Sequence, residues 1–398
     1  MPEDLVPVDP VPEDRCDRSR RTLIRTLTGG GALAALTATA MSGTPAAAQA
    51  APSADTPVSP PGGRSVGRPS GHAFAADTFQ PNGRVREYWI QADSFEHNAV
   101  PNGRDGMTGR RFTADQTTFW AIGYRAYTPN WSSLLPSDVG PQGVGANSGI
   151  PGPVLRAEVG DVIRVHFRNM DEHYKWPHSM HPHGVRYDRA NDGAWLADDP
   201  QQPGTAVPYG STYTYTWFCA PSSVGTWPYH DHSLPQSVTA TPGPGMRKPS
   251  PGGGAVMEIG AELGLFGVLA VTDGHTPEVD REFILFLHDA SPGDVPSLAH
   301  PVDMFNGGAF IDNTPTFSAR SGDRVRWRIA ALGNDFHVFH LHGHRWHSPA
   351  GWVDSQLIGP STTLTVEYTE DNPGHWIYHC HVNEHMMGGM VGRYLVTE

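Results

Sequence analysis

The chain has 398 residues, with 45 Gly, 37 Pro and only 17% charged residues. Its formal net charge of −13 argues against nucleic acid as a partner, because an acidic surface repels the phosphate backbone. The length predicts two or three domains, and the abundance of Gly and Pro between short apolar stretches favours an all-β protein over a helical one.

The N-terminus has the features of an export signal. SRRTLIR, residues 19–25, is a twin-arginine pattern, and a weakly apolar stretch, 27–41, follows it. Ala-Gln-Ala at 48–50 offers a small-x-small cleavage site. We therefore interpret residues 1–50 as a twin-arginine signal peptide and 51–79 as a disordered leader. The apolar stretch is too short to span a bilayer, so we expect a secreted, extracytoplasmic protein without a membrane anchor.

Strand-like segments recur from residue 86 onward. They are rich in β-branched and aromatic residues, most are bounded by Gly, Pro, Asn or Asp, and none has a sustained apolar period of 3.6 residues. Examples are REYWIQADSF, TTFWAIGYRAY, VLRAEVGDVIRVHFRN, REFILFLHD and DRVRWRIAAL.

The chain also contains an internal repeat. GSTYTYTWFCAPSSVGTWPYHDH (210–232) aligns without a gap with GPSTTLTVEYTEDNPGHWIYHCH (359–381). Such a match predicts two homologous β-domains, the first at 80–274 and the second at 275–398. A Gly/Pro/Ser-rich insertion at about 236–259 lengthens the first domain, and we expect it to be a flexible loop.

The two repeats differ where a metal site is concerned. Cys380 in the second repeat aligns with Asp231 in the first, whereas His337 aligns with another histidine, His178. His385 has no histidine counterpart. A site of one cysteine and two histidines is therefore possible in the second repeat only. We interpret His178 as a polar residue behind the ligands or at the surface.

Cysteine usage argues against a disulfide framework. Cys16 would leave with the signal peptide, so the mature chain keeps Cys219 and Cys380, and a disulfide requires these two to pair. If Cys380 is a metal ligand, Cys219 is a free thiol, which we interpret as a small buried apolar residue.

Histidines fall into four short motifs. On a strand, alternate side chains share a face, so each H-x-H pair aims two imidazoles the same way. In the HCH motif the cysteine then points away from both histidines and can bind a different metal ion. The motifs are His181-x-His183, His230-x-His232, His337-x-x-His340-x-His342, and His379-Cys380-His381 with His385.

The donor set indicates copper. A thiolate, two imidazoles and a weak axial methionine are typical of blue copper, and His337, Cys380, His385 and Met390 supply that set. The other eight histidines could bind copper, zinc, iron or nickel, and the blue-copper set favours copper for them too.

With these motifs, the chain resembles the multicopper oxidases, in particular the small two-domain bacterial laccases, from about residue 151 to 396. The segments HPHGVRY and GSTYTYTW also resemble the ceruloplasmin branch of that superfamily. The resemblance implies two cupredoxin-like Greek-key β-sandwich or barrel domains. It also implies four coppers per chain, namely one type-1 ion and a three-copper cluster of one type-2 and two type-3 ions.

The resemblance implies a role for each motif residue. His337, Cys380, His385 and Met390 would hold the type-1 copper, and His181 and His340 the type-2 copper. His183, His230 and His381 would bind one type-3 copper, and His232, His342 and His379 the other. Tyr187, Asp192 and Asp354 match a tyrosine and two acids near the cluster and are the catalytic candidates, with Asp192 as a proton relay. Each of these three could instead be a loop hydrogen-bonder.

The activity implied is laccase-like oxidation of small phenolic or aromatic reductants, coupled to four-electron reduction of dioxygen to water. The alternative is a metal oxidase acting on Fe(II) or Cu(I), favoured by the ceruloplasmin-like segments and the acidic charge. A non-enzymatic copper protein would not need the eight further histidines. Because the cluster takes ligands from both kinds of domain, the resemblance also implies a homotrimer with each cluster at a subunit interface.

Overall fold

A computed structural model describes residues 79–234 and 259–398, except 293, 294, 296, 297, 299 and 334. The predicted signal peptide lies outside the described residues, as do the leader and the 236–259 insertion apart from the last residue of each. None of the helices in the described part is long and apolar enough to cross a membrane.

The first repeat folds into two four-stranded sheets. Their strand orders are β2-β1-β4-β6 and β3-β8-β7-β5. The strands are β1 (Val85–Asn98), β2 (Thr118–Tyr127), β3 (Leu155–Glu158), β4 (Val162–Met170), β5 (His181–Pro182), β6 (Thr212–Phe218), β7 (Gly225–His230) and β8 (Phe266–Thr272). Helices α1 (Ala114–Thr117) and α2 (Ile259–Glu262) and 3₁₀ turns at Pro129–Trp131, Arg189–Asn191 and Pro221–Ser223 lie in the connections.

The second repeat has a four-stranded sheet, a five-stranded sheet and a small hairpin, β14-β15. The sheet orders are β10-β9-β12-β17 and β11-β19-β18-β13-β16. The strands are β9 (Arg281–Ala290), β10 (Val302–Phe305), β11 (Thr316–Arg320), β12 (Arg324–Ala331), β13 (His337–Leu341), β14 (Trp346–Ser348), β15 (Gly351–Val353), β16 (Ser355–Ile358), β17 (Thr363–Thr369), β18 (Gly374–Cys380) and β19 (Val391–Thr397). Helix α3 (Asn383–Gly388) follows β18.

The pairing pattern is the same in both repeats. β1 is parallel to β4, which is antiparallel to β6, and β9, β12 and β17 repeat this arrangement. Likewise β5-β7-β8-β3 corresponds to β13-β18-β19-β11, with the last pair parallel in each case. The predicted all-β fold with two sandwiches is therefore confirmed. The domain boundary at 274/275 stays a prediction, since the described residues pack as one compact unit.

Strand β9 explains why the two sandwiches pack as one unit. Its run of five apolar residues, 283–287, is buried on both faces. Phe283, Leu285 and Leu287 join the core of the second repeat, whereas Ile284 and Phe286 join that of the first. A strand buried on both faces needs a continuous apolar sequence rather than an alternating one.

Polar contacts fix the same junction. Arg328 is buried on β12 and donates to the carbonyl oxygen of Gly225 (3.2 Å) and the hydroxyl of Thr226 (2.9 Å) on β7. The carboxylate of Glu282 pairs with Arg328 at 2.7 Å, and the hydroxyl of Thr363 donates to the Thr226 carbonyl at 2.6 Å. β7, which ends at His230 and leads into His232, is thus held against the second repeat.

We predict that Phe286→Ala destabilises the whole unit. Phe286 is fully buried and stacks on Phe266 with ring centres 4.2 Å apart, so truncation opens a cavity between the repeats. We expect a loss of about 3–5 kcal/mol in the free energy of unfolding, measured by denaturant titration. Truncation of the exposed Met107 is the control, and equal effects of the two substitutions would contradict the shared-core account.

Candidate metal centres

Three predicted ligands of the second repeat meet at one point. His337 begins β13, Cys380 ends β18 and His385 lies on α3. The Nδ1 atoms of the two histidines are 3.1 Å apart, and Cys380 Sγ lies 3.6 Å from His385 Nδ1 and 4.0 Å from His337 Nδ1. These distances bring one thiol and two imidazole nitrogens to a single candidate site.

Burial sets the protonation state of this site. It lowers the pKa of His337 to about 3, with a further contribution from repulsion by His385, and it also lowers the pKa of His385. Both rings are therefore neutral at pH 7, which is the form that binds a metal ion. Burial raises the pKa of the Cys380 thiol, so a cation has to displace its proton. One soft thiolate with two imidazoles suits copper.

Met390 lies beside this site. It is fully buried, and its backbone N–H donates to the carbonyl of His385 at 2.9 Å. Its own carbonyl accepts from the N–H of Cys380 at 3.1 Å. The axial role of its sulfur stays a prediction.

Two carboxylates, those of Asp335 and Glu384, lie near the side of His385 that faces away from Cys380. Because its Nδ1 faces Cys380, the other ring nitrogen points away from the candidate site. That Nε2 lies 3.8 Å from Oδ2 of Asp335, whose side chain is 57% exposed. The charges of Asp335 and Glu384 oppose the effect of burial on the pKa of His385. Sequence reasoning missed this arrangement.

The first repeat gathers four predicted ligands. Nε2 of His183 lies 3.1 Å from Nε2 of His230, and His181 completes a group of three. The ring of His232 is centred 5.2 Å from that of His181. Burial, reinforced by repulsion from the neighbouring histidines, lowers the pKa of His183 to about 4 and that of His230 to about 3.

The second repeat gathers the matching four. Nε2 of His342 lies 3.1 Å from Nε2 of His379, and His340 completes the group. The ring of His381 is centred 5.3 Å from those of His340 and His379. His379 and Cys380 belong to separate groups, because consecutive residues on β18 face opposite sides of the sheet.

The hydrogen bonds of these histidines fit a cation. Nδ1 of His230 donates to the carbonyl of Asp231 (3.0 Å), and Nδ1 of His379 donates to that of Cys380 (2.9 Å). In each neutral ring the proton is then on Nδ1, so the lone pair of Nε2 faces a second imidazole nitrogen at 3.1 Å. Two such nitrogens attract a metal ion placed between them.

Each four-histidine group draws on one repeat. Among the residues that the structure describes, no three-residue metal cluster combines donors from both repeats. The sets inferred from the resemblance, which mix the two repeats, are therefore not assembled within one chain. Their roles as ligands stay predictions.

The three catalytic candidates lie next to the histidines in different ways. The Asp192 carbonyl accepts from Nδ1 of His181 at 2.7 Å, and its carboxylate lies 3.2 Å from the same nitrogen. The ring of Tyr187 is centred 5.9 Å from that of His181. Asp354 contacts His340 through its backbone carbonyl, at 2.7 Å. In the His181-x-His183 and His340-x-His342 motifs, an aspartate carbonyl thus orients the first imidazole.

His178, Cys219 and Cys380 are all buried in the structure. His178 is 1% exposed, so the surface alternative for it is wrong. It lies between the carboxylates of Asp171 and Asp231, a buried network that sequence reasoning missed. Cys219 is a buried free thiol, and burial raises its pKa to about 12. It forms no disulfide with Cys380, which is also free.

Comparison with known proteins gives a consistent family. Two sequence models described as multicopper oxidase match the chain, over residues 130–246 and 288–398, and together they cover more than half of it. The chain is 30% identical over 366 residues to the ferroxidase HEPHL1 of Mus musculus, a match that covers 79% of the chain and 29% of that protein.

A second relative and a solved structure agree. The chain is 27% identical to ceruloplasmin of Ovis aries, with 79% of the chain and 32% of the relative covered. It therefore spans less than a third of the length of these curated relatives. A crystal structure of a multicopper oxidase superposes with a TM-score of 0.56 at 21% identity, covering 81% of this chain and 92% of the other. That likeness shows the cupredoxin-like fold.

We predict that Cys380→Ser removes one bound copper per chain and abolishes the blue absorption. The histidine groups keep their copper, because His379 and His381 face away from residue 380. Copper analysis and visible spectroscopy measure both effects. Cys219→Ser is the matched control, a buried free thiol in the other repeat. Loss of all copper from Cys380→Ser, or retained blue colour, would contradict the assignment.

Proposed function

The chain belongs to the multicopper oxidase family, and we propose that it is a metal oxidase that takes electrons from Fe(II) and reduces dioxygen to water. The observation that carries this proposal is the carboxylate of Asp335, 3.8 Å from the outer nitrogen of His385. A ferrous ion held there would be one imidazole ring away from the type-1 copper site.

The names of the relatives support Fe(II) as the reductant. The two relatives described above carry the names ferroxidase and ceruloplasmin, and the ceruloplasmin-like segments of the sequence agree with them. This favours the metal oxidase, which was the alternative in the sequence analysis, over the laccase-like oxidation of phenols.

Charge at the electron-entry point also favours Fe(II). Asp335 is exposed and Glu384 is adjacent in sequence to His385, so anionic oxygens face an approaching cation. Thioethers are the ligands that select Cu(I), whereas carboxylates are poor ligands for so soft an ion. A neutral phenol gains nothing from this negative charge.

Bound copper and the residues around it have different roles in the proposed reaction. Bound copper supplies one-electron redox chemistry at the type-1 site and dioxygen chemistry at the histidine groups, four ions per chain. His385 presents its edge to the reductant, and Cys380 is bonded through the backbone to His379 and His381, which gives electrons a short covalent route. The rings of His183 and His230 are oriented with neutral nitrogens towards one another.

Protons need a route as well. The carboxylate of Asp192 is partly exposed, lies 3.2 Å from His181 Nδ1 and is held by Arg189 at 3.0 Å. Burial would raise the pKa of Asp192, but the hydrogen bond with His181 and the neighbouring positive charges outweigh it and lower that pKa. The group is thus ionised at pH 7 and positioned to pass protons from solvent towards the cluster. Tyr187, whose pKa is raised by burial, lies beside it.

The geometry of the histidine groups supports assembly into a homotrimer. The second-repeat group lies on the outer face of its sheet, where His381 is exposed. On the same face of the β13–β16 pair, Phe336 is 64% and Leu357 is 66% exposed. A first-repeat histidine group from another chain would complete the cluster and cover these apolar side chains, and a ring of three chains repeats this contact at every junction.

We predict that the double variant Asp335→Asn, Glu384→Gln lowers kcat/KM for Fe(II) by about tenfold or more, since a captured cation loses its anionic partners. Oxygen uptake with Fe(II) and with a methoxyphenol should be measured in parallel. The phenol rate and the blue absorption serve as internal controls, because neither depends on those charges. A larger fall in the phenol rate than in the Fe(II) rate would favour the laccase interpretation.

We predict that the copper-loaded mature protein sediments as three chains, and that Leu357→Asp dissociates it. The separated chains keep the blue type-1 colour, which one chain supplies alone, and lose oxygen uptake, which needs donors from two. Val85→Asp, at an exposed position on β1, is the control. A monomer with full oxidase activity would contradict the shared cluster.

A further inference from the structure

In the first repeat, polar and charged residues occupy the positions that correspond to the type-1 site of the second repeat. Asp231 and His178 occupy the positions of Cys380 and His337. The imidazole of His178 lies between two carboxylates, with Nδ1 2.7 Å from Asp231 Oδ2 and Nε2 3.1 Å from Asp171 Oδ2. A hydrogen-bonded triad thus fills the place where the second repeat brings together three metal donors.

The triad is buried and satisfied. His178 and both carboxylates are at most 1% exposed. Oδ1 of Asp231 accepts from the N–H groups of Ser179 (2.8 Å) and Ser233 (3.1 Å), while Asp171 accepts from those of residues 174 (3.0 Å) and 176 (3.2 Å). Burial alone would lower the pKa of His178, but the two carboxylates raise it to about 9, so the ring carries a charge.

A buried ionic triad is weak evidence of a role in stability. Removing charged groups from water costs several kcal/mol per ion, and apolar residues of similar volume often stabilise a core as well or better. Buried ionic groups that persist are instead suited to fixing one geometry.

The triad is joined to the metal-binding histidines through Asp231. Asp231 lies between His230 and His232, and its carbonyl holds Nδ1 of His230 at 3.0 Å. The hydroxyl of Ser179 accepts from the N–H of His232 (3.1 Å) and contacts Oδ1 of Asp231 (3.2 Å). Ser179 is two residues before His181, which pairs with His230 across β5 and β7.

We propose that Asp231, with His178 and Asp171, positions the first-repeat half of the trinuclear copper centre. The triad ties segment 178–183 to segment 230–233, as a type-1 copper held by His337, Cys380 and His385 would tie β13, β18 and α3 in the second repeat. Asp231 is a positioning residue: it touches no copper and acts through His230 and His232. This inference rests on the copper centres of the proposed function but not on the identity of the reductant.

The test is copper binding by the full mature protein carrying Asp231→Asn. Neighbours that orient metal-binding histidines typically contribute 10–100-fold in metal affinity, so we expect the type-2 and type-3 coppers to bind about 10–100-fold more weakly in competition with a chelator. Their electron paramagnetic resonance and near-ultraviolet signals should fall together. The blue type-1 signal, which arises in the other repeat, should be unchanged.

Asp161→Asn is the matched control. Asp161 is a fully buried carboxylate of the same repeat, held by Arg84 and Arg86 and bonded to none of the histidines. We expect this variant to lose stability but to keep all four coppers. Equal loss of type-2 and type-3 copper in the control, or full retention in Asp231→Asn, would overturn the positioning role.

A milder variant covers the case in which Asp231→Asn does not fold. Ser179→Ala removes only the hydroxyl that links Asp231 to the N–H of His232, and we expect a severalfold weaker binding of type-3 copper with the blue signal intact. Unchanged affinity in Ser179→Ala would overturn the proposal. If the wild-type protein itself bound no type-2 or type-3 copper, the proposed function would fail instead, so the two failures are distinguishable.

Discussion

The alternation of side chains along a strand governs how this protein arranges its candidate metal ligands. At the end of β18, His379, Cys380 and His381 follow one another, so the cysteine faces the opposite side of the sheet from both histidines. Cys380 therefore meets His337 and His385, while His379 meets His340 and His342. One tripeptide serves two candidate sites, and the covalent chain is the connection between them.

Duplication of the sandwich gives each repeat the same set of four histidines but a different centre behind them. Where the second repeat places a thiol and two neutral imidazoles, the first places a charged imidazole between two carboxylates. Each arrangement joins the end of a strand that carries an H-x-H motif to a second segment that also carries histidines. The shared strand β9 and the buried Arg328 fix the two sandwiches to one another, and in the proposed assembly a second chain brings the two kinds of histidine group together.

The sequence predicted the fold well, because the fold follows from local pattern, whereas the ligand sets inferred from the resemblance stay predictions. Strand periodicity and the gapless repeat predicted two sandwiches, and HxH spacing predicted which imidazoles share a face. The contact of Asp335 with His385 and the burial of His178 against Asp231 could not be predicted, since each joins segments that are distant in sequence. The same limit applies to the reductant: the histidine motifs do not specify it, and the proposal of Fe(II) rests on Asp335 beside His385, which only the structure shows.

The most direct test of the account is the stoichiometry of oxygen uptake by the copper-loaded protein with Fe(II) as the only reductant. The account predicts four Fe(II) oxidised per dioxygen, with water as the product and no peroxide released. Uptake with a methoxyphenol but not with Fe(II), or release of peroxide at two Fe(II) per dioxygen, would contradict it.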